Sequence, residues 1–407
     1  MHSRRQANLF FMACVLLNLA ASFAHAVTPT MIKDRGFGDY MFGVALGSMM
    51  TVNFLVSPFW GKLITFVSSR TVILICSLGY AIGQALFWLA DTERAMVGAR
   101  MFAGIFTSGV FTACLTYVVN TTPADLRGRY LTIIATIQMV ASSFGYFVGG
   151  ILGEFGIAFT MIAQVAVLSA SGVLLFVICR DDRDTTQRGI AIGHLLREAN
   201  PVAAFIAGKH IMTPLLIAVF LIAALTNLGN TAFDGSFNYY LRAQLDLSSG
   251  YNGTIKGIIG LVSLAANGSL GLWLVVNTDI RRSWILVNLL CACSMLAVVL
   301  LLDSAVPFVL ANILYFALFA VSAPLTQNLL ARTAEGKDSN LTMGYFNGMK
   351  SLGGIAGSLS SGVLYTLNPK WPFMLGFLAF LIATGASVYY YVRSKREELA
   401  TTVTAQR

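Results

Sequence analysis

Charge is what this 407-residue chain has least of: 11% of its residues are Asp, Glu, Lys or Arg, while 57% are hydrophobic. A water-soluble domain carries about 25% charged residues, so a polar shell around a single core is excluded. Histidine is scarce, at four residues, and cysteine at six. Cys14, Cys76, Cys114, Cys179, Cys291 and Cys293 sit in or beside apolar runs and form no C-x-x-C and no cluster with histidine. They read as small hydrophobes, so neither disulfides nor a metal site is expected. No G-x-x-x-x-G-K-[ST] loop occurs, which removes an ATP-driven motor. No H-E-x-x-H or other grouping of nucleophile, base and metal ligands occurs either, so no enzyme activity and no cofactor are expected.

Long apolar runs are abundant instead, such as "FFMACVLLNLAASFA" and "FMLGFLAFLIATGASVYYYV". A bilayer core takes about 20 apolar residues per helix, and a transmembrane barrel would alternate apolar with polar residues. The expected fold is therefore an all-α polytopic membrane protein. Twelve spans are predicted: 7–31, 40–60, 71–90, 95–120, 131–153, 157–179, 214–237, 252–276, 284–303, 307–330, 342–366 and 371–393. The net charge of +9 fits cations gathered in cytoplasmic loops better than nucleic-acid binding. With a cytoplasmic N-terminus most of the 27 Lys and Arg fall inside, which sets both termini in the cytoplasm of a cell-membrane protein. The opening "MHSRRQANLFFMACVLLNLAASFAHA" has the pattern of a cleavable leader, but it is expected to stay, because it has a counterpart later in the chain.

That counterpart belongs to an internal repeat. Gly61 and Arg70 correspond to Gly271 and Arg281, and "FGYFVGGILGE" to "SLGGIAGSLSSG". Asn18 and His25 of the first span map onto Asn227 and Asp234 of the seventh. Two parallel six-helix halves with substrate bound near the midplane are a common plan of secondary transporters. The expected domains are residues 1–179, a cytoplasmic linker 180–213 with an amphipathic piece around "GIAIGHLLREA", and 214–407 with a short cytoplasmic tail. The two six-helix bundles should be pseudo-symmetric.

On these residues the chain resembles the major facilitator superfamily over essentially its full length, and most of all its drug:proton antiporter group. That family has a G-x-L-x-D-R-x-G-R-R/K loop between spans two and three. Here "GKLITFVSSR" keeps Gly61, Leu63 and Arg70, with Lys62 beside them. Thr65 replaces the acid, Phe66 the next Arg, and Ser68 and Ser69 the usual Gly and Arg. The resemblance implies an inner-gate loop that has lost its ion pair, with the Thr65 hydroxyl left to cap a helix. The fourth-span R-x-x-x-G is Arg100 and Gly104, and the resemblance implies a proton-transfer role for Arg100. A fifth-span G-x-x-x-G-P-x-x-G-G pattern is matched at Gly145, Gly149 and Gly150, while Ala141 and Tyr146 replace its first Gly and its Pro. Such glycines permit close helix approach, which implies gating.

Polar residues inside the spans recur at helical spacing. Span seven carries Asn227, Asn230, Asp234 and Asn238 on one face, and span one Asn18, Ser22 and His25. Gln138 and Ser142 lie on span five, Asn312, Tyr315 and Ser322 on span ten, and Asn347, Ser351 and Ser358 on span eleven. Polar groups facing lipid are costly, so these stripes should face the bundle interior. One role for them is helix–helix hydrogen bonding; the other is a wet substrate path. The expected substrate-binding set is Asn18, Ser22, Gln138, Asn227, Asn230, Lys256, Tyr315 and Asn347. Asp234 is the carboxylate well inside a span, and Lys256 on span eight is its candidate basic neighbour. Asp234, His25 and Arg100 form the expected proton-coupling set, and Gly61, Lys62, Arg70, Gly145, Gly149 and Gly150 the gating set. Lys350 on span eleven either meets an anionic group or snorkels.

The expected activity is secondary active transport of a small organic molecule by alternating access, with proton-coupled efflux favoured. The alternative is proton-coupled uptake of a sugar, nucleoside or organic anion, because three span-embedded cations face one acid. The expected partners are the small-molecule substrate, protons and the lipid bilayer, with no nucleic acid, and the protein is expected to act as a monomer.

Overall fold

A computed structural model describes residues 4–64, 66–182, 212–333 and 339–405. Among the described residues lie twelve long helices and no strand. They are α1 (Arg4–Asp34), α2 (Met41–Leu63), α3 (Ser69–Leu89), α4 (Glu93–Thr121), α5 (Ala124–Glu154) and α6 (Ile157–Ile178). The later six are α7 (Pro214–Ala243), α8 (Ser249–Asn277), α9 (Ile280–Leu300), α10 (Ala305–Thr333), α11 (Ser339–Leu367) and α12 (Trp371–Ala405). Eleven are long and apolar enough to cross a membrane. The twelfth, α11, falls short in hydropathy because Asn, Ser and Gly fill much of its length. Every predicted span coincides with one of these helices. Several helices overrun the apolar window, as α5 does at its start and α7 and α12 at their ends. Backbone hydrogen bonding continues past the point where apolar side chains are required.

The helix ends have local causes. After α1 the chain turns at Gly36, φ +65°. Gly36 N donates to Lys33 O at 3.0 Å and Phe37 N to Ile32 O at 3.1 Å, a paired closure that satisfies the last carbonyls. Thr92 caps α4 by accepting from Ala95 N at 3.2 Å. Residues 267–271 of α8 form a π-helical turn, which the sequence pattern did not signal.

The chain divides into two compact units, Met1–Ala203 with Asn238–Gly260, and Ala204–Phe237 with Leu261–Arg407. In the first, α4 packs on α2 and α3, α1 packs on α5 and α6, and α3 packs on α6. Leu17, Val72, Ile73, Tyr80, Val110 and Tyr117 lie in its core. In the second, α9 packs between α10 and α12. Each unit repeats one seam. A methyl group added at Gly149 of α5 would lie 2.6 Å from Phe23 Cα of α1, and one at Gly353 of α11 would lie 2.8 Å from the Ala224 carbonyl carbon of α7. The backbones touch where a side chain would otherwise stand. The start of α8 meets α5 in the same way in the first unit, since a methyl on Gly150 would lie 2.5 Å from Ser249 O.

One expectation about the loop after α2 needs correcting. Gly61 and Lys62 are not loop residues: α2 continues through them to Leu63. Space is open around Gly61, so nothing there demands a glycine. Residues 183–211 of the expected linker 180–213, with the amphipathic piece, lie outside the described residues, as does Thr65 with its expected capping role.

Candidate functional site

A cavity of about 50 Å³ opens in the second unit among α7, α10 and α11. Thr226 and Asn227 line it from α7, Ser322, Thr326 and Gln327 from α10, and Phe346 and Lys350 from α11, with Phe319 beside them. Ser322 with Thr326, and Phe346 with Lys350, are four residues apart, so each pair presents one helix face. Several of these polar groups are already engaged. Thr226 donates to Ile222 O at 2.8 Å, Asn227 to Ala223 O at 3.2 Å, and Thr326 to Ser322 O at 2.9 Å while accepting from Trp284 Nε1 at 3.0 Å. Lys350 is half-buried, with Nζ 5.6 Å from the centre of the Phe346 ring. Among the described residues no carboxylate pairs with it.

Further along α7, Asn230 Oδ1 accepts from the Tyr315 hydroxyl at 3.0 Å. Tyr315 is fully buried, with its ring among Phe233, Phe316, Phe319 and Phe380. Its hydroxyl is thus engaged by the protein, and it does not line the cavity. Asp234 follows one turn after Asn230, half-buried.

The first unit holds a second polar group. His25 stacks on Tyr146, ring centres 5.4 Å apart at 16°, and Lys256 Nζ lies 5.6 Å from the same tyrosine's ring centre. Asn238 Nδ2 donates to His25 O at 3.1 Å, and Asn252 Nδ2 to Asn238 Oδ1 at 2.5 Å. Tyr146 is the residue that stands where the family pattern has proline, and here its ring lies next to both the histidine and the lysine. Arg100 is 3% exposed. It donates to Gln84 Oε1 and Thr28 Oγ1, each at 3.4 Å, and its guanidinium carbon lies 3.6 Å from the Phe87 ring centre. No carboxylate joins it among the described residues. A desolvated cation–π contact of this kind contributes about 2 kcal/mol. A methyl on Gly104 would lie 3.3 Å from Met49 Cα, so the R-x-x-x-G glycine lets α4 press against α2.

Other predicted residues turn to local partners. Asn18 donates to Cys14 O at 2.8 Å and Ser22 to Asn18 O at 3.4 Å; both are buried, and Ser22 stands on the α1 seam with α5, opposite Gly145. Gln138 is half-buried and Asn347 exposed. Neither lines the cavity. Of the expected substrate-binding set only Asn227 does.

The expected gate loop is held by acids from its own unit. Arg70 Nη2 lies 3.6 Å from Asp181 Oδ2. Asp182 accepts from Ser69 N at 2.8 Å, Ser69 Oγ at 2.5 Å and Asn120 Nδ2 at 3.1 Å. The replaced position Ser69 is therefore where α3 receives its acid. In the second unit Arg281 donates to Glu398 Oε1 at 2.6 Å and Ser394 Oγ at 2.7 Å.

Sequence reasoning left Thr226, Thr326, Gln327 and Phe346 unnoticed, placed Ser322 on the span-ten stripe without adding it to the substrate-binding set, and treated Lys350 as an ambiguous cation. The available signal was their spacing of four on two helices, weak without knowledge of which faces meet.

Against this geometry the comparisons with known proteins are consistent. The chain matches the Major Facilitator Superfamily over residues 9–322 and belongs to that family. It is a multi-pass membrane transporter of small molecules and not an enzyme. Multidrug resistance protein 1 of Bacillus subtilis is 21% identical over 375 residues, covering 89% of this chain and 90% of that protein. The crystal structure of the human organic anion transporter MFSD10 superposes with a TM-score of 0.67 at 17% identity, covering 95% of this chain and 100% of that one. The nucleoside transporter NupG superposes with a TM-score of 0.71 at 13% identity, over 96% and 99% of the two chains.

Proposed function

We propose that this protein is a secondary active transporter that exports a small organic molecule in exchange for protons, by alternating access. The observation that carries the coupling is Asp234, a carboxylate half-buried within α7 one turn from the Asn230–Tyr315 hydrogen bond. An ionisable group at membrane depth is costly and points to function. A neutral Asp234 and a charged one favour different surroundings, so its proton and the substrate compete for one conformational equilibrium. His25 and Arg100 are secondary members of the same role. The glycine seams of α5 and α11 are the surfaces on which helices shift, with Gly145, Gly149 and Gly150 as gating positions, and Arg70 as the fastening of the α2–α3 loop. Export is supported by the multidrug resistance relative. The cation-rich loops support a cell-membrane protein with both termini in the cytoplasm.

The test is transport into proteoliposomes under an imposed pH gradient, with a panel of lipophilic drugs, sugars, nucleosides and organic acids. D234N should abolish the gradient-driven flux while leaving counterflow exchange intact, and the protein should elute as a monomer. An unchanged pH dependence in D234N would remove Asp234 from coupling.

A further inference from the structure

The cavity among α7, α10 and α11 has an unusual balance of engaged and spare polar groups. Thr226, Asn227 and Thr326 are held by backbone carbonyls. The side chains of Lys350, Gln327 and Ser322 make no hydrogen bond among the described residues, though all three residues line the cavity. An ammonium, an amide and a hydroxyl thus remain available at one place. The cation lies within the predicted span 342–366: at 1.5 Å per residue Lys350 is about 16 Å along α11 from Ser339, more than two helical turns past the start of that helix. Within a membrane span a lysine pairs or faces a cavity, and no carboxylate of the described residues supplies the pair. Phe319, Ala223 and Ala323 give the cavity an apolar wall. Its 50 Å³ admit a group of a few heavy atoms, not a whole drug-sized molecule, whose sites run to about 300 Å³ or more.

We infer that this cavity is an anion subsite of the transport path, in which Lys350, Gln327 and Ser322 receive the carboxylate of an organic acid whose apolar body rests against Phe319. The inference rests on the reading of the chain as a small-molecule transporter and adds the substrate's chemistry to it. Lys350 supplies charge, Gln327 and Ser322 supply direction, and a neutral or cationic analogue of the same shape forgoes the charge-assisted bonds that set the affinity. Lys350 is then the residue that decides which sign of charge is carried.

The experiment uses the purified full-length chain in detergent, with benzoate, benzamide and benzylamine as probes of one shape and three charges. Benzoate should raise the unfolding temperature, benzamide and benzylamine should not, and K350Q should weaken benzoate binding about tenfold or more. K350R should keep most of it, which separates loss of charge from loss of fold. Equal shifts from benzamide, a full benzoate response in K350Q, or no shift from benzoate would each overturn the subsite. A shift from short-chain phosphatidylglycerol but not from benzoate would make the occupant a lipid head group and overturn it as well. Counterflow in proteoliposomes separates the two readings. Benzoate bound but never moved, with other compounds of the panel carried, keeps the transporter and overturns the subsite's place on the transport path. Flux of neutral or cationic compounds with none of benzoate keeps the transporter and removes the subsite.

Discussion

The first turns of α3 and α9 occupy equivalent places in the two halves, and they solve one problem differently. Each begins a helix after a short loop and leaves amide hydrogens without intrahelical partners. At α9 the remedy is local: Asp279 at the N-cap accepts from Arg281 N at 3.1 Å. At α3 the N-cap Ser68 makes no such bond to the backbone, and Asp182, 113 residues away, accepts from Ser69 N and Ser69 Oγ. The neighbouring arginines follow suit, Arg70 with Asp181 and Arg281 with Glu398. What the halves share is the demand for an acid at this helix end. What differs is where the chain finds it. The stretch "GKLITFVSSR" lacks the family's acid, yet the start of α3 is not left uncapped, because Asp182, four residues past the end of α6, accepts from Ser69 N.

That contrast can be broken in graded steps. The largest effect should be common to both halves, because the glycine seams are. G149L and G353L should each cost more than about 3 kcal/mol or prevent folding, measured as yield and thermal unfolding in detergent. A mild result in one half alone would show that the repeat is not equivalent at its core. Next, D182A should destabilise by about 2 kcal/mol and D279A by about 1 kcal/mol, since Asp182 takes three hydrogen bonds, two from Ser69 and one from Asn120 of α4. S68D placed in the D182A background should recover about 1 kcal/mol by converting the remote cap into a local one. No recovery would mean that Asp182 acts on α6 and not on α3. The smallest effects belong to the exposed ion pairs. D181N and E398Q should each cost under about 1 kcal/mol, and the cost should shrink further as salt is raised.

Much of the architecture was legible because hydrophobic run length and the repeat are both local in sequence. The twelve helices and the glycine seams follow from residues that can be counted along the chain. Side-chain destinations did not follow. Asn18, Ser22 and Asn227 carry the same stripe signature and each bonds to a carbonyl of its own helix, yet Asn18 and Ser22 are buried whereas Asn227 lines a cavity. Spacing shows that residues share a face and not what that face meets. Tyr315 is polar within a span, and spacing gave no sign that its hydroxyl donates to Asn230 Oδ1. Asp182 escaped notice for the opposite reason: it is polar where polar residues are ordinary, and its partner is remote. The π-helical turn at 267–271 carries no proline and no periodic signature to announce it.

The remote cap also sets an order of events during synthesis. A chain emerges from its N-terminus, so α9 can complete its first turn as soon as Asp279 and Arg281 have emerged together. The α3 turn must wait until α4, α5 and α6 have been made and residue 182 arrives. The start of α3 is thus fastened from beyond the end of α6, and a nascent chain stalled before Asp182 has all six helices of the first half but not the acid that caps α3.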